Sequence, residues 1–431
     1  MDTDDSAQAG AGLPAIQVNV CEPERREPGL VIFPVNKATA ERPMPHDGVL
    51  IGIGRSGEAA WSVETGTGVG GIWHTRRNTI LLTSRGRILE LDMSGNTAGA
   101  WTSRSLDGAP GEAEGIPLDV GVVHHSTIEL PSGNLLSLGT GCTHVDAYPT
   151  SETDADAPRA PADVKEDVIV EFTRAGDIVR RHNLGDILDT GRIGYYSVVS
   201  GELGPTPGGD LDWSHSNGLF YDPSDDSYLI SIRHQDAIAK IGLADGELKW
   251  ILGDPAGWSA PWSGKLLEPA SEIEWQYHQH DPSLTSDGCV LCFDNGNCRA
   301  VPYAPRRKPH ETYSRAVAFR IDEGAGTVAE DWSFAGPPGE TIYSSSQGGA
   351  VELPETGNIF CNFSCIRTDR DGNPAEDNLD SQRHIRLFEV TREADPEIVL
   401  DITIPVNRET GTSYSSFRSI HVPEAPAGYP A

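Results

Sequence analysis

A recurring pair of strands is the feature that most restricts how this chain can fold. A strand, a turn carrying Asp or Gly, and a second strand often ending in Trp recur at 49–63, 88–101, 170–182, 239–252, 318–334 and 386–402. Between them lies a second repeat, an apolar hairpin around a tight polar turn. Its copies are IELPSGNLLSLG (128–139), LFYDPSDDSYLISI (219–232), PSLTSDGCVLCFDNG (282–296) and VELPETGNIFCNFS (351–364). A unit repeated in this way cannot bury its faces alone and must stack on its neighbours. The pattern predicts an all-β fold, a six-bladed β-propeller with four-stranded blades and an active site in the central channel. An irregular β-sandwich is the competing arrangement. One propeller domain is expected over 29–431. Residues 1–28, which are polar, small and acidic, read as a flexible arm. The acidic Asp146–Glu166 stretch reads as a surface loop.

Composition agrees with a turn-rich β protein: Gly (47) and Pro (31) are plentiful in 431 residues, and no segment holds helical periodicity beyond about two turns. The charge is unusual, with 64 acidic against 33 basic residues and a net charge of −31. Only six of the basic residues are Lys. Phosphate binding needs a basic face, so this balance argues against a nucleic-acid partner. Acid spread along the whole chain suits very high salt, where the Debye length falls to about 3 Å and a carboxylate coat repels itself little. No stretch approaches the roughly 20 apolar residues of a membrane span. The N-terminus has neither a basic region nor a long apolar run. A cytoplasmic protein without a membrane partner is the expectation.

Seven Cys are present, and Cys289-x2-Cys292 and Cys361-x3-Cys365 have spacings that invite a zinc reading. Cys289 and Cys292 lie in an apolar run that reads as a strand, which would not turn both thiols to one face. Buried free thiols and no disulfide framework are expected.

The histidines fall in register with the inner hairpins. His124 and His125 precede IELPSGN, His215 precedes LFYDPSDD, and His280 precedes the SLTSDG turn. Strands at equivalent places in successive blades should bring these imidazoles together on the axis. WSHSNGL adds Asn217, and SIRHQDAIAKI adds Arg233 and His234. Arg and Asn offer fixed donors to a tetrahedral oxyanion such as sulfate or phosphate. A neutral imidazole serves as nucleophile or general base near neutral pH. His234, directly after Arg233 in an assumed strand, should face away.

From His215 to Val317 the chain carries HSN, SIRHQDAIAKI, GELKWILG, EWQYHQHDPSL, FDNGN and YSRAV in that order. In these segments it resembles the arylsulfotransferases that use no nucleotide sulfate donor, and a weaker match extends over roughly 29–420. The resemblance implies a six-bladed propeller and ping-pong transfer of a sulfuryl group from an aryl sulfate to a phenol, without a cofactor or metal. It makes His280 the nucleophile that becomes sulfohistidine. His215, Asn217 and Arg233 hold the sulfuryl group, and His124 or His125 assists the phenol oxygen. Counting from the turn Gly favours His125, whereas counting from the next apolar position favours His124. A later hydroxyl would come from Tyr343, Ser344 or Ser345. Two other classes remain open: a propeller that only binds a ligand, and a metal-dependent hydrolase using His215, His280 and His124 or His125. Water could also take the sulfuryl group, giving a sulfatase.

Overall fold

The computed structural model describes residues 13–39, 41–42, 47–104, 114–198, 211–369, 373–375 and 382–423. These are almost all strand and turn; the helical segments among them are one α-turn, Leu184–Ile187, and four short 3-10 segments. Among the described residues there are six sheets, antiparallel except for a two-residue parallel strand in three of them. All six predicted outer hairpins are present, for example Ala237–Gly242 with Leu248–Gly253 and Arg315–Asp322 with Thr327–Phe334. The four inner hairpins are present too. A further inner hairpin, Gly71–His74 with Thr79–Ser84, turns through Thr75, Arg76, Arg77 and Asn78, with Asn78 (φ 55°) at the place that Gly133 and Gly288 take in two of the other turns.

Adjacent residues of the central strands feed different cores, which explains why these strands read as unbroken apolar runs. Leu229 packs with Val290 and Phe319, while its neighbour Ile230 packs with Ile128 and Leu136. Leu81 and Leu82, Leu135 and Leu136, Leu291 and Cys292, Phe360 and Cys361, and Leu50 and Ile51 divide in the same way. Alternation therefore buries both faces of each sheet. Each such Leu or Ile contributes about 1.5–3 kcal/mol by leaving water. The recurring Trp has its own explanation, because it ties one sheet to a turn of the next. Nε1 of Trp61 donates to Met93 O (2.8 Å), Trp101 to Arg174 O (3.1 Å), Trp250 to Glu323 Oε1 (2.9 Å) and Trp332 to Glu393 O (3.1 Å).

The first strands of successive sheets pack side by side. Val123–Glu129 touches both Gly71–His74 and Ser216–Asp222; His280–Leu284 touches Ser216–Asp222 and Gly349–Glu352. The remaining sheet joins the two ends of the chain, with Ile420–Val422 and Ser413–Ser415 pairing with Leu30–Ala38. Ile420–Val422 also touches Gly71–His74.

Two expectations need correction, and a third holds. The arm expected over 1–28 is ordered from Leu13, and Gln17–Cys21 pairs with Ile398–Ile404. Buried Arg26 then holds Glu389 at 2.9 Å; residues 1–12 lie outside the described residues. The Asp146–Glu166 stretch is a loop only over 149–159, because Leu135–Tyr148 and Ala160–Phe172 pair out to Tyr148 and Ala160 on either side. Alternating Thr, Val and Ala there sustain the ladder, with His144, Asp146 and Asp163 facing outward and Glu166 buried. The paired thiols agree with expectation: Cys289, Cys292, Cys361 and Cys365 are buried, and Cys289 and Cys292 lie in different cores.

Candidate active site

Three inner strands depart from regular pairing at the histidines. The register shifts between His124 and Thr127, between Ser216 and Gly218, and between His280 and Ser283. Each shift has a non-glycine residue with positive φ at or beside it: His125 (53°), His215 (47°) and Asp281 (55°). A bulge breaks the alternation of side chains and re-aims one of them. That is how consecutive His124 and His125 come to lie together, Nδ1 to Nδ1 at 2.7 Å.

The rings form a continuous series. Centroid separations are 4.9 Å for His124–His125, 5.1 Å for His125–His215 and 4.5 Å for His215–His234. Phe417 closes the other side, 5.4 Å from His125 and 5.5 Å from His280. His215 Nδ1 donates to Asp212 Oδ2 at 2.7 Å, which turns Nε2 away from that carboxylate. Asp212 is itself placed by the long hairpin, since Leu211–Asp212 pairs with Val164 and Lys165. Burial opposes ionisation of Asp212, but His215 and then His234 hold its carboxyl far below the usual range.

His280 is 2% exposed, and its Nδ1 lies 2.7 Å from Asn295 Oδ1. The orientation of that amide is fixed, because Asn295 Nδ2 donates to Ser344 O (3.0 Å) and Gln347 O (2.9 Å). Oδ1 must accept, so Nδ1 of His280 carries the hydrogen and Nε2 keeps its lone pair. Among the described residues, only a long contact from the Gln347 N–H (3.3 Å) reaches Nε2. Burial holds His280 well below the usual imidazole range, and the Arg233 cation adds to this. The nitrogen is therefore unprotonated near neutral pH.

Arg233 and Asn217 are both buried. Asn217 Nδ2 donates to Gln279 O at 2.9 Å, next to His280 in sequence, so the carboxamide and the imidazole are tied together. Arg233 Nη1 lies 2.8 Å from Nε2 of His234, whose Nδ1 is 2.6 Å from Asp212 O. The expectation that His234 faces away fails for a local reason. Arg233–Gln235 is a 3-10 turn ended by Asp236 at φ 49°, and strand alternation does not apply to it. Tyr196 lies over the Arg233 guanidinium at 5.7 Å and against His278 at 5.3 Å.

The later hydroxyls meet the site through their backbone. The Ser344 carbonyl orients Asn295, while its hydroxyl donates to Ser364 O. Ser345 Oγ donates to Cys365 O (3.2 Å) and accepts from Arg367 (2.9 Å), and Tyr343 Oη accepts from Asn297 Nδ2 (2.9 Å). Several residues of the site had no role in the sequence reading: Asp167, Asp212, Asp281, Asn295, Phe417 and Arg418. Asn295 stands in the FDNGN segment, so its motif was visible while its task was not. Arg418 comes from the end of the chain. It donates to Asn217 O (2.8 Å) and Ser126 Oγ (3.2 Å) and lies 3.5 Å from Asp281, whose carboxyl burial pushes up to about 6.

Asp212, His215 and His234 lie close enough together to hold a metal ion. His215 Nδ1 already donates to the Asp212 carboxylate, His234 Nδ1 meets the Asp212 backbone carbonyl, and the Arg233 cation meets the outer nitrogen of His234. That arrangement suits an anion more than a second cation. The buried guanidinium of Arg233 and carboxamide of Asn217 thus share one cluster with the His280 imidazole, and donors of this kind suit an anion. The chain belongs to the arylsulfotransferase (ASST) family, whose model matches residues 38–415. It is 29% identical over 279 residues to the arylsulfate sulfotransferase AssT of Escherichia coli O6:H1, covering 57% of this chain and 45% of that one. A second relative, arylsulfate sulfotransferase AssT of Lelliottia amnigena, is 35% identical over 156 residues, 32% of this chain and 25% of that one. The matches thus span less than half of either relative. Among solved structures, a Bacteroides caccae protein of unknown function covers 90% of this chain and 99% of its own at 10% identity, with a TM-score of 0.46. That likeness is too low to carry an argument. Among the described residues, no helix is long and apolar enough to cross a membrane.

Proposed function

We infer that this protein moves a sulfuryl group from an aryl sulfate to a phenolic acceptor, in two steps through a sulfohistidine at His280. Family membership supports the aryl sulfotransferase activity. The observation that carries the mechanism is the bond from His280 Nδ1 to an amide whose orientation is fixed, which leaves Nε2 as the attacking lone pair. In the first step the Nε2–S bond forms as the S–O(aryl) bond breaks, and the departing oxygen takes a proton from the His124–His125 pair. In the second step a phenol oxygen attacks sulfur, the S–N bond breaks, and the phenol proton returns to that pair. Splitting one displacement in this way lowers each barrier. His215, Asn217 and Arg233 hold the sulfuryl oxygens, where charge is greatest as the group passes.

The scaffold in this reading is a six-bladed propeller with the site on its axis. The side-by-side packing of the first strands, from Gly71–His74 round to Ile420–Val422, supports that arrangement. The chain acts at high ionic strength, which its charge of −31 favours.

The test is sulfuryl transfer from 4-nitrophenyl sulfate to phenol by protein dialysed against a chelator. Formation of phenyl sulfate is expected. Binding without turnover would leave a ligand-binding protein, and turnover restored only by a metal ion would leave a metal-dependent hydrolase.

A further inference from the structure

The two consecutive histidines differ in what lies behind them. His124 Nε2 is 3.1 Å from Oδ1 of Asp167, a buried carboxylate that also accepts from Ser214 Oγ (2.6 Å) and from the Ser216 amide (2.5 Å). With those donors Asp167 is ionised; burial opposes this, but His124 and the hydroxyl bonds hold it below its usual range. His124 therefore presents Nε2–H to Asp167 and Nδ1 to His125. His125 has its Nδ1 on His124, and among the described residues its Nε2 makes no hydrogen bond. Its ring stands between His215 and Phe417, on the side of His280.

Two nitrogens 2.7 Å apart share one hydrogen. We propose that Asp167, His124 and His125 form a proton relay in which His125 Nε2 exchanges the proton with the aryl oxygen and His124 carries the positive charge. This rests on the sulfuryl-transfer reading, which left the acting histidine open. The charged pair has Nδ1–H on His124, donated to His125, and Nε2–H on His125, facing the aryl oxygen. When the S–O bond breaks, that Nε2 proton goes to the departing oxygen and the shared hydrogen moves from His124 Nδ1 to His125 Nδ1. Both rings are then neutral. The incoming phenol returns its proton to His125 Nε2, the shared hydrogen moves back, and the charge reappears on His124 beside Asp167.

The relay answers an electrostatic difficulty. Around His125 stand His215, His280 and, more distantly, Asp212, and burial together with the neighbouring imidazoles makes a charge on that ring costly. Placing the charge on His124 moves it one ring away, against a carboxylate. His125 is thus the catalytic residue of the pair, while His124 and Asp167 act through it.

The experiment compares phenyl sulfate, a poor leaving group, with 4-nitrophenyl sulfate, a better one, in His125→Gln, His124→Gln and Asp167→Asn. General acid assistance typically contributes about 10²–10⁴-fold. His125→Gln should lose about that with phenyl sulfate and under tenfold with 4-nitrophenyl sulfate. His124→Gln should show the same contrast at smaller size. In Asp167→Asn the alkaline limb of kcat for phenyl sulfate should move to lower pH, because the charged pair has lost its carboxylate. Equal losses with both donors in His124→Gln, at an unchanged melting temperature, would overturn the relay. If Asp167→Asn does not fold, His124→Gln decides. A readout independent of turnover separates this from failure of the sulfotransferase reading. Nitrogen NMR of the resting protein should show one strongly hydrogen-bonded proton shared by the two Nδ1 atoms and abolished in His124→Gln. Absence of that proton contradicts the relay even if the protein transfers sulfuryl groups.

Discussion

The inner strands fall into two kinds, and the contrast separates what builds the fold from what builds the site. Gly71–His74 and Gly349–Glu352 pair with their neighbours in unbroken register. Val123–Glu129, Ser216–Asp222 and His280–Leu284 each slip by a bulge at the histidine-bearing end. The regular strands are not indifferent to the slips next door. A Cβ on Gly71 would lie 2.0 Å from His125 O, and one on Gly349 would lie 2.3 Å from Asp281 Oδ2. The lack of a side chain at these places makes room for the bulge of the adjoining strand. His74, at the far end of a regular strand, only meets Asn78 at 2.9 Å. A histidine on an inner strand is therefore not enough; the bulge is what aims it at the site.

The largest expected effects break the bulged side outright. His280→Ala should abolish turnover, and Arg233→Ala should lower kcat by about 10²–10³, as for loss of one oxyanion donor. Both are read by steady-state kinetics with 4-nitrophenyl sulfate. A smaller effect comes from the regular side. Gly349→Ala should displace Asp281 and with it the turn after His280. It should cut kcat at least tenfold while costing about 1–3 kcal/mol of stability, the usual range for overpacking. His74→Ala, assayed beside it, should stay within twofold of wild type.

Acid should discriminate the two kinds of strand as well. His125, His234 and His280 are held neutral, chiefly by burial and secondly by neighbouring positive groups. In the unfolded chain imidazoles take up protons below about pH 6.5. The unfolded state then binds more protons, so stability falls as pH drops through that value. Asp281, at about 6 in the fold, works the other way: its contribution is present below its ordinary value of 3.8 and is lost as pH rises through about 6. Three groups against one predict a lower melting temperature at pH 5 than at pH 7, with a shallower slope in His280→Asn. The smallest effect sought is with salt: the melting temperature should climb from 0.1 M toward molar KCl, about 1 M, as screening relieves self-repulsion.

Much of the fold was legible because a hairpin writes its period and its turn into the sequence, and Trp61, Trp101, Trp250 and Trp332 mark where sheets join. His280 and His215 drew notice because they precede inner turns, and Asn217 and Arg233 because they stand in the motifs around them; their tasks rest on the resemblance. What escaped has a physical reason in each case. The position of His234 depends on a 3-10 turn where alternation had been assumed. Both His124 and His125 face one site because of a bulge, which no period reveals. Arg418 reaches Asn217 across 201 positions of the sequence, from a link between two short strands that both pair with Leu30–Ala38. The hydroxyls of Tyr343, Ser344 and Ser345 come into the reading with the resemblance, whereas it is the Ser344 carbonyl that reaches Asn295.

The central claim is that His280 carries the sulfuryl group between donor and acceptor. Its most direct test is intact-protein mass spectrometry after brief mixing with an aryl sulfate and no acceptor, followed by mapping of the modified peptide under mildly alkaline conditions. The account predicts one added SO3 unit, located on His280, absent in His280→Ala and discharged when phenol is added. An adduct on another residue, or full turnover by His280→Ala, would contradict it.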